Sequence, residues 1–288
     1  MRWRIVIALM GLILVGCSPA AVRPETTTTV APETTTTRPP SSEICLSGDL
    51  PFSGDGLIAA LGGDEGDVSS ISQIRWDKST NCERITIVFG TESGAPATTL
   101  GPSAVSVIPY AGIVRIKLPA EVERSAVADT LLEGRLVRSV FVVRDEDQLV
   151  FIDIHAAEEL PILARAFTTT SPATLVIDVI RADTSAVPVG VTTTDSAVVV
   201  SPTPGMAEYP IDVDGYVEPG LSSVQIQVVA SDTVAIDRSL SIPGYKDTWQ
   251  SFSSTIEEGP SGTTVLFVGT LDDDGRPLNG TFVSITIE

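Results

Sequence analysis

The chain has 288 residues, with 37 Asp+Glu against 18 Lys+Arg, a formal charge of −19 and a single His. A hydrophobic content of 43% with 19% charged residues suits packed cores, about two at roughly 150 residues per domain, and excludes a globally disordered chain. So acidic a surface cannot neutralise a phosphate backbone, which excludes nucleic acid as a partner, and one His with three Cys leaves little for a His-rich metal site or a zinc module.

Residues 1–16 open with Arg2 and Arg4 and continue as an apolar stretch from Ile5 to Val15. A short positive region before about ten apolar residues reads as a secretory signal, too short for a transmembrane helix of about twenty. The stretch ends Leu14-Val15-Gly16-Cys17, which resembles the lipobox of bacterial lipoproteins. That resemblance implies cleavage before Cys17 and lipidation of its thiol; the alternative is an ordinary signal peptide with a chance cysteine. Two acyl chains supply the double signal that stable anchoring needs, while the acidic body is repelled by anionic lipid. The expectation is an exported protein held to the outer face of the membrane by its lipid alone.

Residues 17–42 carry Pro24-Glu25-Thr26-Thr27-Thr28-Thr29 and again Pro32-Glu33-Thr34-Thr35-Thr36-Thr37, then Arg38-Pro39-Pro40. With few apolar side chains to bury, this segment reads as a disordered linker, of maximal reach about 80 Å at about 3.1 Å per residue. A solvated spacer and an O-glycosylated stalk both fit its composition. Beyond it, Cys45 and Cys82 form an even pair in an oxidising compartment, and a disulfide between them would stabilise by about 3–4 kcal/mol in the chain-entropy model. Two reduced, buried thiols are the other reading. Without a Cys-x-x-Cys spacing, a redox site is not indicated.

From Val68 the pattern is that of strands. Ile85, Ile87 and Phe89 alternate with Thr86 and Val88, as Val114, Ile116 and Leu118 do with Arg115 and Lys117. Similar runs cover Ile71 to Trp76, Val105 to Ile108, Val137 to Val143, Leu149 to His155, Ile162 to Phe167 and Leu175 to Ile180. Period-two patterning broken by Gly, Pro, Asn and Asp marks a sheet-built domain over 43–183. Two short stretches read as helical, Leu57 to Leu61 before Gly62-Gly63 and Ala126 to Leu132 before Gly134, where glycine suits a C-terminal cap. Glu83-Arg84-Ile85-Thr86-Ile87-Val88-Phe89 and Ser171-Pro172-Ala173-Thr174-Leu175-Val176-Ile177-Asp178-Val179 resemble the two signature strands of AMIN and AMIN-like domains of bacterial envelope proteins. Thr174 stands where that family usually has Arg, and no glycine-serine-glycine segment separates the strands. The resemblance covers about residues 65–182 and implies a β-sandwich-like fold that binds peptidoglycan or localises a partner there.

Residues 184–196 form a second linker rich in Thr, Ala and Val. Over 197–288 come Val198 to Ser201, Ile211 to Val213, Val224 to Val228, Val234 to Leu240, Trp249 to Ile256, Thr263 to Leu271 and Phe282 to Ile287. About seven short strands in about 90 residues, with turns at Glu218-Pro219-Gly220 and Asp274-Gly275, are the arithmetic of an immunoglobulin-like sandwich. Val200-Ser201-Pro202 with Pro204-Gly205, Gly215, Trp249-x-x-Phe252 and Asp274-Gly275 resemble the immunoglobulin-like domain of bacterial spore-germination proteins. That resemblance implies a binding or scaffolding module and carries over no catalytic residue. The expected fold class is therefore all-β, with two β-sandwich-like domains.

For chemistry, His155 is the one candidate imidazole base, and it shares a strand face with Asp153, opposite Val150, Ile152 and Ile154. Such a pair could orient a base, yet no Gly-x-Ser-x-Gly elbow or motif-placed nucleophile accompanies it, so a solvent-facing or structural His155 is favoured. Asp272-Asp273-Asp274-Gly275 lacks the spaced acids and later Glu of a calcium loop and reads as a charged hairpin tip, as does Asp145-Glu146-Asp147. Trp76 and Trp249 could stack on sugars, but their apolar neighbours favour core packing. Asn279-Gly280-Thr281 reads as a turn. No catalytic residue, metal or cofactor is nominated, and the ligand-binding residues stay unassigned. The sequence points to a non-enzymatic envelope lipoprotein that engages peptidoglycan or an envelope protein. The alternatives are a purely protein–protein adaptor and, remotely, a hydrolase built on His155 and Asp153.

Overall fold

The computed structural model describes residues 44–45, 49–157, 160–184 and 188–288; the signal segment, Cys17 and the Thr/Pro linker lie outside them. Among the described residues every regular element is a strand. In chain order the first half holds β1 (Gly56–Leu61), β2 (Ser70–Lys78), β3 (Cys82–Gly90), β4 (Ser103–Ile108), β5 (Ile113–Lys117), β6 (Arg124–Ser125) and β7 (Asp129–Leu131). It continues with β8 (Val137–Arg144), β9 (Val150–Ala156), β10 (Ile162–Thr169) and β11 (Thr174–Arg181). The second half holds β12 (Thr192–Thr193), β13 (Ala197–Ser201), β14 (Gly205–Ala207), β15 (Ile211–Val217) and β16 (Ser223–Ala230). It ends with β17 (Thr233–Ser241), β18 (Trp249–Ile256), β19 (Gly262–Leu271) and β20 (Pro277–Ile287).

These strands form three sheets. One of five strands runs β10-β11-β3-β2-β6, another of five runs β14-β20-β19-β16-β17, and a ten-stranded sheet runs β1-β4-β5-β9-β8-β18-β15-β13-β12 with β7 beside β8. The first half of the large sheet closes over β10-β11-β3-β2-β6 around Ile85, Ile87, Phe89, Val114, Ile116, Ile152, Ile154 and Ile177. Its second half closes over the other five-stranded sheet around Val213, Ile226, Val228, Phe252, Leu266, Val268 and Ile285. The second sandwich has an immunoglobulin-like order: β13, β15 and β18 stand as its A, B and E strands, and the first strand switches sheets, β14 pairing in parallel with the last strand, β20.

The two sandwiches are joined through β8. One stretch of its outer edge pairs with β7 from Ser139 to Phe141, and the next pairs in parallel with β18 at Val143 and Arg144. Beside that seam the outer faces of both halves pack together. Ile113, Phe141 and Val143 meet Val198, Val200, Tyr216 and Trp249 in a third apolar cluster. Strands such as β8 and β13 are therefore covered on both faces, which is why Val140-Phe141-Val142-Val143 and Ala197-Val198-Val199-Val200 read as unbroken apolar runs. The segment expected as the second linker lies along this junction: Thr192–Thr193 pair with β13, the Val189 amide donates to the Tyr110 carbonyl at 3.1 Å, and Val191 packs on the third cluster.

Both expected helices are strands. Leu57 to Leu61 pairs with β4 as an edge of the large sheet, half-burying Ile58, Ala59 and Leu61 against the first core. Gly62, taken as a cap, turns the chain with φ of +83°, and an added Cβ would lie 1.9 Å from the Gly101 carbonyl oxygen. Within Ala126 to Leu132, β7 is drawn onto β8, and Asp129 accepts a hydrogen bond from the Trp249 indole at 3.1 Å. Gly134 is needed for close approach, since a Cβ there would lie 2.0 Å from the Val137 carbonyl oxygen and 2.4 Å from Glu83.

Candidate functional site

His155 and Asp153 do share one face of β9, the face turned toward the second sandwich, with Val150, Ile152 and Ile154 in the first core. They do not form a dyad. Asp153, fully buried, lies opposite Arg115 on β5 and accepts two bonds from its guanidinium, at 2.8 Å from Nε and 2.6 Å from Nη2. Burial pushes the Asp153 carboxyl up, against the pull of the Arg115 bonds and charge. Burial also works against the Arg115 charge, but the Asp153 bonds and charge outweigh it and hold the guanidinium above its ordinary value. His155 is 3% exposed, its Nε2 bonded to the Tyr216 hydroxyl and its ring 4.9 Å from Phe141. Burial, then the Arg115 and Arg138 charges, lower the imidazole to about 3, so it is neutral at physiological pH. Of the two expectations for this residue, the structural one is realised and the solvent-facing one is corrected. Trp249 completes the cluster, edge-on to Phe141 at 4.8 Å and to Tyr216 at 6.0 Å.

The residues carrying the first resemblance are structural too. Arg84 on β3 faces Asp178 on β11, which faces Arg165 on β10. The fully buried Asp178 accepts from Arg84 at 2.6 and 2.9 Å and from Arg165 at 3.0 Å. Such a row is stable because each buried charge meets an opposite one. Cys45 and Cys82 are joined in a disulfide, and the Cys45 carbonyl accepts from Arg165. The three ligand-type side chains gathered here, Cys45, Cys82 and Asp178, are thus committed to a disulfide and to ion pairs.

Asp272-Asp273-Asp274-Gly275 is the exposed tip between β19 and β20, where Asp272 accepts from the amides of Asp274 and Arg276 at 3.0 and 2.8 Å. Asp145-Glu146-Asp147 turns β8 into β9, with Asp145 accepting from the Leu149 amide at 2.8 Å. Asn279-Gly280-Thr281 is not a turn but the interior of β20, paired with Val268, Gly269 and Thr270. Trp76 is half-buried against the first core, its indole donating to Glu83 at 3.2 Å.

That Glu83 also organises one wall of a cleft. Its carboxylate accepts from the successive amides of Arg135, Leu136 and Val137, at 2.6, 3.1 and 3.1 Å. A buried carboxylate wrapped by three backbone donors and an indole holds the loop before β8 rigidly against β3. The loop borders a cavity of about 700 Å³ at one end of the first sandwich, with the Ser79-Thr80-Asn81 turn, Ile180 and Arg181 as further walls. Arg135 and Arg181 are exposed, and among the described residues neither guanidinium has an ion-pair or hydrogen-bond partner. Two guanidiniums beside the Asn81 amide and the Thr80 hydroxyl form a donor-rich pocket that matches carboxylate ligands. Sequence reasoning missed it because its residues come from four separate segments without a motif; Glu83 beside Arg84 on a strand was the one available signal.

No protein-family model matches this sequence, and comparison with curated proteins finds none similar.

Proposed function

We propose that the chain is a non-enzymatic envelope lipoprotein, anchored through Cys17 on the outer face of the membrane, that binds peptidoglycan or scaffolds envelope proteins. The observation supporting the wall-binding half is the Arg135–Arg181 cleft. The peptide stems of peptidoglycan end in free carboxylates, and a guanidinium pair reads such groups by charge-assisted hydrogen bonds. A neutral His155 enclosed by aromatic rings supports binding over hydrolysis, because a base held at about 3 is poorly matched to neutral pH. Family-level expectations, of an AMIN-like unit followed by a spore-germination-type immunoglobulin-like unit, agree with this reading.

The test is retention of soluble residues 43–288 on purified insoluble peptidoglycan. Wild type is retained, and the Arg135→Ala/Arg181→Ala pair lowers the bound fraction at least tenfold with an unchanged melting temperature. Equal retention of both proteins removes the cleft from the wall-binding account. Failure of wild type to bind favours the second reading, a protein–protein adaptor, which the open strand edges of the second sandwich support on separate grounds.

A further inference from the structure

The second sandwich has an open side. In the immunoglobulin order the sheet carrying A, B and E continues with a D strand beside E. Here β18 holds the E position, and β8 pairs beside it only at Trp249 and Gln250. From Ser251 onward no described strand pairs with that edge of β18. The Thr255 carbonyl points outward along it and is met by the Arg238 guanidinium from β17. Main-chain groups alternate in direction along an antiparallel strand, so Ser253 presents its N–H and C=O on the same edge as Thr255.

Across the gap, β17 is the last strand of its own sheet. The Ile242 amide donates inward to the Ser222 carbonyl at 3.0 Å, so by the same alternation Ser239 and Ser241 turn their main-chain groups outward. Between these edges lies a cavity of about 380 Å³, bordered by Ser239, Ser241, Ser251 and Ser253 and closed at one end by Arg144 with Asp145 and Glu146. A strand added beside β18 would lie about 4.8 Å from it in the plane of its sheet. Arg144 is 7% exposed and its Nε–H has no acceptor, although its other nitrogens donate to the Glu123 and Gln148 carbonyls. Main-chain groups at Ser253, Ser239 and Ser241 that meet no described strand are what an added strand satisfies.

We propose that this groove takes up an extended segment of a partner protein as an added strand, occupying the D position beside β18. Charge fixes the class of segment. Asp145, Glu146 and the nearby Asp247, 3.7 Å from Arg144, outnumber Arg144 and Arg238 around the groove on a strongly acidic chain, so the side chains that leave it are Lys or Arg. Those that enter meet Leu240, Ile242 and Phe252 and are small and apolar. The inference deepens the scaffolding half of the proposed function and rests on it for the partner's compartment.

The probe is an end-blocked decapeptide of alternating Val and Lys, titrated into residues 43–288. Saturable binding is expected, with slowed amide exchange at Ser239, Ser241 or Ser253, and at least tenfold weaker binding of the Val–Glu counterpart. Ser253→Pro removes an outward donor at a position where an edge strand accepts proline, and it lowers affinity at least tenfold. A peptide N-methylated at alternate residues loses binding without any change to the protein. Binding without edge protection, equal affinity of the methylated peptide, or no binding overturns the proposal. The Arg135→Ala/Arg181→Ala protein retains peptide binding and Ser253→Pro retains wall binding, so this inference and the wall-binding reading fail separately.

Discussion

A single imidazole packed among rings turns the junction into an acid-sensitive element. His155 binds a proton near 6.5 when unfolded but only near 3 when folded, so the unfolded chain holds the extra proton between those values. Stability from this group is whole above about pH 6.5 and is lost as pH falls toward 3, by up to about 1.4 kcal/mol per pH unit. Asp67 adds to acid sensitivity independently, since amide donation from Thr99 and Thr98 lowers its carboxyl, and that contribution is also lost on acidification. His155→Gln keeps a polar partner for the Tyr216 hydroxyl but cannot titrate. The melting temperature of wild type should therefore drop more steeply between pH 7 and 4.5 than that of the variant. Superimposable pH profiles would mean that the imidazole is not held neutral. Asp178 offers a check on charge pairing: Asp178→Asn leaves Arg84 and Arg165 poorly compensated and should cost about 3–5 kcal/mol in a denaturant titration.

At the level of strands, much of the architecture was legible because the alternation was strong. The readings at Ile85 to Phe89, Val114 to Lys117 and Leu149 to His155 fall on β3, β5 and β9 with the expected faces inward. The all-β class and sandwich-like sheets were readable from the same pattern, and the Cys45–Cys82 disulfide from an even cysteine pair in a chain read as exported. The two helix readings failed where segments are short and their local preference is weak against a neighbouring edge: β1 is drawn onto β4, and β7 onto β8. Gly62 and Gly134 look like caps in sequence, yet one turns the chain beside Gly101 and the other makes room for Glu83. The Arg135–Arg181 cleft was invisible for a different reason, since Ser79 to Asn81, Arg135 and Arg181 meet only after strand pairing. Trp249 was expected in a core, and it lies in the one that joins β18 to β7 and β8. Trp249→Ala should cost about 3–5 kcal/mol, measured by chemical denaturation, and a loss below about 1 kcal/mol would contradict the junction's packing.

On the scale of the molecule, residues 39–288 form one compact unit, and its two sandwiches share a sheet. Calorimetry of residues 43–288 should accordingly show one unfolding transition; two resolved transitions would mean that the seam contributes little. Residues 43–183 alone would bare Phe141, Val143 and Ile113 to water, together with the Arg144 end of β8 where β18 pairs, and should self-associate at concentrations where the longer body stays monomeric. The joint also sets an order of events when the chain is made. The first sandwich is complete on reaching Arg181, but the rings that cover its outer face, Tyr216 and Trp249, lie much further along the chain. At about 5–20 residues per second, an aromatic surface and a strand edge wait uncovered for several seconds. A chain halted in that interval is an aggregation seed as well as an inactive fragment, so premature termination between Arg181 and Trp249 should be more damaging to the cell than loss of the whole protein.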